Sequence, residues 1–164
     1  MTSVSVLDSP IGLLGVRVDD DALTGVHMGE PGWEVRTGSR EEELLAAEVA
    51  RQLSSYFAGE RTAFDLPLRP QGTVFQREVW EALCTIPFAE TASYRDIAEQ
   101  VRRPAAVRAV GQANGRNPIS VIVPCHRVIG ASGALTGYGG GLDRKQWLLR
   151  HEADVAGRSA RLPL

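Results

Sequence analysis

Of the 18 basic residues in this chain only Lys145 is a lysine. Cysteine is almost as scarce: Cys84 and Cys125 are the only two, so a disulfide framework is excluded. The opening Met1-Thr2-Ser3-Val4-Ser5-Val6-Leu7-Asp8 has no basic stretch followed by an apolar one, so no secretory signal is expected. No apolar run approaches the roughly 20 residues that cross a bilayer, which excludes a membrane-spanning helix. With no export signal, both thiols are expected reduced in a cytoplasm. Cys84, Cys125, His126 and His151 match no standard zinc spacing, so neither a metal nor a cofactor is expected.

What is present is a globular composition, 43% hydrophobic and 23% charged. A length of 164 residues suits one ordinary domain or two small lobes. The net charge of −2 hides a division. Residues 1–69 carry 6 Arg against 12 Asp and Glu, a net of −6, whereas residues 70–164 carry a net of +4. That asymmetry points to an anionic partner for the second half, with chance surface charge as the plain alternative.

Short apolar segments around Val4 and Val6, Leu13 to Val18 and Leu23 to Met28 are separated by Ser9-Pro10-Ile11-Gly12 and Asp19-Asp20-Asp21. They predict a three-stranded meander with solvated aspartates at one turn. Residues 29–38 are expected to form a mobile loop. Ser39, followed by Glu41, Glu42 and Glu43, predicts a helix start, and Gly59 its end. Leu45, Val49, Leu53 and Tyr56 recur at helical spacing and should cover the sheet. Leu66 to Gly72 reads as the connector between lobes. Thr73 caps a further helix with Phe75, Val79 and Leu83 on one face and Trp80 beside them. Cys84 near its end reads as an inert structural residue.

Ser93 and Asp96 form a capping-box variant that opens a short helix. Pro104 suits the first position of a second helix, which Asn114-Gly115 should end in a left-handed turn. Two short helices joined by a tight turn give a helix-turn-helix, or else a plain helical hairpin with solvated arginines. Arg102, Arg103, Arg108 and Arg116 lie on or near the second helix, where guanidinium groups can meet phosphates. Val121 to Val123 read as a buried strand or extended segment that Pro124, lacking an N–H, interrupts. Cys125 then sits beside His126 at a turn leaving an apolar layer, a plausible nucleophile or a small buried hydrophobe. Glycines follow at 130, 133, 137 and 139–141, dense enough for backbone to approach a flat ligand. Asp143 to Glu152 read as a last helix packed through Trp147, Leu148 and Leu149. Glu152 falls near its end, where the dipole disfavours an anion, so it is either solvated or held by a partner. The tail from Ala153 is expected to be loosely held.

Taken together, Pro124-Cys125-His126-Arg127-Val128, Asn117-Pro118, Ser93-Tyr94, Arg108-Ala109-Val110-Gly111, Tyr138 with its glycines and Trp147-Leu148-Leu149 to Glu152 resemble the O6-alkylguanine-DNA alkyltransferases. The resemblance is close over residues 73–152 and holds only in outline before them. It implies an α+β fold. Residues 1–68 would form a ribonuclease H-like sheet-and-helix lobe, and residues 69–164 a mostly helical DNA-binding and alkyl-transfer domain. It also implies direct reversal of damage: an alkyl group on guanine O6, or on thymine O4, moves irreversibly to Cys125.

By the same resemblance, His126 would be the base through a bridging water, Glu152 would orient it and Asn117 would brace the turn. Tyr94 would give a proton or hydrogen bond to the departing guanine. The partner would be duplex DNA, with the damaged nucleotide rotated out of the stack. Arg108 would fill the vacated space, and Ser93, Tyr94, Ala105, Ala109, Gly111 and Arg116 would contact DNA. Val128, Tyr138, Gly139 and Gly140 would line the guanine pocket. Gly139 stands where some vertebrate members have serine, so a hydroxyl contact to O6 would be missing. A monomer of the stand-alone form is implied, with clustering along DNA left open. The rival readings are a sensor that binds alkylguanine without reacting and a thiol hydrolase with turnover.

Overall fold

The alternating apolar residues at the start of the chain do become strands. β1 (Thr2–Leu7), β2 (Leu14–Asp19) and β3 (Ala22–Met28) form an antiparallel meander in the order β1-β2-β3. The register pairs Val4 with Arg17 and Val6 with Gly15, and β3 slips by one residue beside Arg17 and Val18. That slip frees the Thr24 hydroxyl to donate to Asp19 at 2.6 Å. Asp19 also accepts from Thr2 and from Arg17 at 2.9 Å. The aspartate cluster is therefore only partly the solvated turn expected: Asp19 is paired, and Asp20 takes the left-handed backbone, φ 55°, that turns the chain. This computed structural model describes residues 1–29, 32, 34–130, 133, 138 and 140–157.

α1 (Arg40–Phe57) begins in a complete capping box between Ser39 and Glu42. Glu42 is fully buried, and its second oxygen accepts the Asp20 N–H at 2.7 Å, tying the helix start to the β2–β3 turn. The helix ends as Gly59 predicts. Gly59 has φ 77°, its N–H donates to the Tyr56 carbonyl, and Glu60 N–H donates to Ser55. Ala46, Val49, Leu53 and Tyr56 are buried along one stripe, and α1 packs across the sheet.

Two expectations for the connectors are corrected. Arg36, within the segment read as a mobile loop, exchanges two backbone hydrogen bonds with Val4, at 2.9 and 3.0 Å. Pro67 to Arg69 also serve as more than a connector: Leu23 bonds to both Pro67 and Arg69 through its backbone. The chain divides into two compact units, Met1–Gln71 with Pro118–Ile122, and Gly72–Asn117 with Val123–Leu164. Pro118 and Ser120 bond to Val26, so a segment distant in sequence completes the first unit along β3.

The second unit is mostly helical. α2 (Val74–Leu83) opens in a capping box of Thr73 and Gln76 and buries Val79, Trp80, Ala82 and Leu83. A Cβ on Gly72 would lie 2.4 Å from the Trp80 ring, so no larger residue fits before that cap. Cys84 is the C-cap of this helix and is exposed. α3 (Tyr94–Gln100) begins with the Ser93–Asp96 capping box, and Arg102 turns the chain with φ 61°.

α4 (Val107–Gly115) starts three residues later than Pro104 predicts. Arg103 to Ala106 form a hydrogen-bonded turn, so Pro104 and Ala105 lie before the helix. The expected left-handed end at Asn114-Gly115 is also absent; Gly115 is helical and Arg116 follows with φ −104°. α3 and α4 pack on each other, as a helix-turn-helix requires. α5 (Leu142–Val155) runs past Glu152, and Ala153, expected in a loose tail, is buried. Among the described residues no helix is long and apolar enough to cross a membrane.

Candidate active site around Cys125

Val121 to Val123 are buried but do not form a strand. Ile122 N–H bonds to Ser120 O at 2.8 Å around Val121, whose φ is 70°. That is a γ-turn of the strained, positive-φ kind, costly for a β-branched residue. A second γ-turn follows, with Cys125 N–H donating to Val123 O at 2.8 Å around Pro124 (φ −82°, ψ 61°). The proline thus sits where its missing N–H costs nothing. A single 3₁₀ turn, Cys125–Arg127, comes next, and then β5 (Val128–Ile129).

β5 pairs in parallel with β4 (Ala92–Ser93), Val128 opposite Ala92 and Ile129 opposite Ser93. Ser93 caps α3 and Tyr94 is its first residue, so this two-residue ladder brings Tyr94 to the neighbourhood of the nucleophile turn. α4 supplies the other flank. Asn117 Nδ2 lies 2.8 Å from Val123 O and 3.1 Å from Cys125 Sγ. Asn114, in the last turn of α4, reaches Cys125 O at 3.4 Å, and Trp80 Nε1 anchors that turn at Ala113 O, 2.8 Å away.

Glu152 is fully buried and has the partner its awkward position called for. His126 Nε2 is 2.7 Å from Oε2, Arg127 Nε is 2.8 Å from Oε1, and Arg127 Nη2 is 3.0 Å from Oε2. Ala89 N–H adds a fourth donor at 3.2 Å, from a left-handed residue of φ 64°. Burial alone would raise this carboxyl, but His126 and Arg127 hold it well below the usual carboxylate range. An ionised carboxylate can only accept, so His126 carries its hydrogen on Nε2 and exposes the lone pair of Nδ1. Nδ1 is buried and has no partner among the described residues. Burial lowers the imidazole's pKa; Glu152 opposes this, and Arg127 and Lys145 add to it.

Lys145 was not foreseen from the sequence. It is fully buried, donates to Val128 O at 2.5 Å and has its pKa pulled down to about 8, chiefly by burial. Burial pushes the Cys125 thiol up, and the Asn117 donor and the Lys145 cation pull it back. Lys145, Leu148, Leu149 and Glu152 form an i, i+3, i+4, i+7 stripe that is entirely buried. A lone lysine heading a stripe that ends in a glutamate was the readable signal. Arg127, inside the motif that carried the resemblance, was likewise given no role by the sequence, although its guanidinium makes the fork on Glu152 and a 2.7 Å bond to Ile86 O.

The structure brings some of the predicted residues together and leaves others apart. Cys125, His126, Glu152 and Asn117 meet around one turn, with Val128 and Tyr138 beside them. Arg108 and Ala109 lie exposed on α4 and Arg116 lies exposed just after it, while Val110, Ala113 and Asn114 are buried on the helix's other side. Gly111 faces the Tyr94 ring. Ala105 is exposed in the turn before α4 instead of on the helix. Gly140 accepts from Arg144 at 3.0 Å, and Gly139 lies outside the described residues.

Both units match known proteins. Residues 74–154 match the family described as 6-O-methylguanine DNA methyltransferase, DNA binding domain, and residues 3–70 match its ribonuclease-like domain. A methylated-DNA–protein-cysteine methyltransferase of Mycolicibacterium paratuberculosis is 56% identical, covering 93% of each chain. One of the same name from Methanosarcina acetivorans is 49% identical over 90% of this chain and 96% of its own. The crystal structure of Mycobacterium tuberculosis OGT in complex with DNA is similar at a TM-score of 0.83 and 48% identity, covering 93% of this chain and 94% of that one. By its residues, its fold and these matches along both units, the chain belongs to the 6-O-methylguanine DNA methyltransferase family.

Proposed function

We propose that Cys125 accepts, once per molecule, the alkyl group of an O6-alkylguanine in duplex DNA. The observation that carries this reading is the buried His126–Glu152 pair, 2.7 Å apart, directly next in the chain to a thiol held 3.1 Å from Asn117. His126 Nδ1 takes the thiol proton, directly or through one water, and Glu152 stabilises the imidazolium that results. The sulfur attacks the alkyl carbon in line, an S–C bond forms and the C–O6 bond breaks. The guanine keeps the bonding pair and takes a proton or hydrogen bond from Tyr94. Asn117 and Lys145 stabilise the thiolate in a site where water does not screen them.

The product is a thioether with no charge and no easy leaving path, so the molecule is spent. A buried base in a duplex cannot reach such a thiol, so the nucleotide turns out of the stack. The exposed side of α4 lies against the DNA, Arg108 takes the vacated place, and Val128, Tyr138 and Gly140 border the flipped guanine. The protein acts as a monomer. The test is duplex DNA carrying a radiolabelled O6-methyl group. One label per molecule should appear on Cys125, followed by inactivity, and none should appear with Cys125→Ser. Repeated turnover would favour a hydrolase, and binding without transfer a sensor.

A further inference from the structure

Three polar atoms in this unit are buried with no hydrogen-bond partner among the described residues: His126 Nδ1, Asn114 Oδ1 and the Tyr138 hydroxyl. Nδ1 has its use as the base. The Tyr138 hydroxyl has none so far, because the guanine pocket draws on the loop's backbone and ring. It is near enough to the Cys125 sulfur that a loose hydrogen-bonding contact and their charges couple the ionisation of the two groups, although no well-formed bond meets the hydroxyl among the described residues. A phenol desolvated at that cost and left unpaired is expected only where a partner arrives later in the reaction.

We propose that Tyr138 is a catalytic hydrogen-bond donor to Cys125, its O–H turning onto the sulfur as the thiol proton leaves and holding the thiolate for attack. The hydroxyl has only to close on the sulfur, and such bonds commonly tighten once the reacting charge has formed. Burial first, and then the neighbouring thiolate, carries the Tyr138 phenol well above its ordinary value, so it keeps its proton throughout. It therefore does not compete with His126 as a base. The thiol proton goes to Nδ1, the sulfur pair forms the S–C bond, and Tyr138 gives up nothing. Thioether sulfur accepts hydrogen bonds weakly, so the contact favours the thiolate over the product. With Asn117 Nδ2 on the same sulfur, the thiolate has two fixed donors and the Lys145 cation.

This inference rests on Cys125 being the acceptor, and its test separates the two ideas. Tyr138→Phe keeps the ring and removes only the hydroxyl. The full chain is treated with iodoacetamide across a pH series, and modification of Cys125 and Cys84 is read separately by peptide mass spectrometry. Cys84 is exposed and serves as an internal reference. The Cys125 profile should move up by about one pH unit, about tenfold slower labelling at neutral pH, while that of Cys84 stays. A Cys125 profile that superimposes on the wild type overturns the proposal, and so does a shift that Cys84 shares. Placing 3,5-difluorotyrosine at 138 gives a stronger donor of the same shape, and the profile should then move down; movement up overturns it. Iodoacetamide needs no guanine, so a shifted profile in a protein that takes no methyl from DNA would defeat the acceptor reading alone.

Discussion

Lys145→Met should make the protein more stable and slower at once. Lowering a buried ammonium from its ordinary 10.5 to about 8 corresponds to about 3 kcal/mol of destabilisation. The sign follows from proton linkage. Between pH 8 and 10.5 the unfolded chain holds a proton on this side chain that the folded chain has lost. Stability from this group therefore rises with pH across that window, and the penalty is complete below it. Methionine of similar length removes the charge but leaves Val128 O without its 2.5 Å donor, a loss of about 2 kcal/mol. The net gain near neutral pH is about 1 kcal/mol, or about 3 °C in Tm for a chain of this size, and above pH 10.5 it turns into a loss of about 2 kcal/mol, where only the missing donor counts.

The same change removes a cation that favours the thiolate, so methyl transfer at pH 7 should slow by about tenfold, recovering as pH rises. Thermal unfolding and single-turnover transfer across pH measure both effects. Because Lys145 is the chain's only lysine, labelled lysine gives a single NMR signal, which should titrate near 8. A stable variant with an unchanged rate would refute the electrostatic role. A loss of stability at pH 7 would refute the buried-charge argument.

Glu152→Gln should abolish rapid transfer and cost about 3 to 5 kcal/mol, because it strands the buried Arg127 guanidinium. Glu152 is held below the unfolded carboxylate range, so its contribution is present above about pH 4.5 and fades as pH falls; denaturant titrations on either side of that pH should show the wild type losing more than the variant. For Arg108→Ala, repair of duplex DNA should weaken more than reaction with a free-base substrate, and equal loss on both would sink the flipping role. Tyr94→Phe should slow transfer from DNA with binding largely retained, and an unchanged single-turnover rate would remove its assignment as donor to the guanine.

Much of the architecture was legible because it is local. Ser39, Thr73 and Ser93 each begin a helix for reasons contained in the next three residues, and the meander follows from period-two apolar spacing and its turns. Where local cues misled, tertiary forces overrode them. Pro104 is compatible with a helix start, yet the turn after Arg102 delays α4 to Val107. Val121 has a strand former's side chain and is held at φ 70°, between backbone bonds from Ser120 to Val26 on one side and the Asn117 clamp on Val123 on the other. Such strain persists only when surrounding contacts over-determine it, and single-residue preferences do not carry that information.

The sequence by itself determined which groups could react: one thiol beside one imidazole, an asparagine before a proline, and a glutamate placed where a helix dipole disfavours it. Chemical identity and helical spacing are written in the chain. Only the tertiary structure decided which of these groups meet. The four donors on Glu152 come from a loop backbone N–H, at Ala89, and from two adjacent side chains of the 3₁₀ turn, 25 to 63 residues away. The Lys145 cation and the Tyr138 hydroxyl, unpaired among the described residues, matter only because burial removes the water that would otherwise screen or satisfy them, and burial is a property of the packed chain.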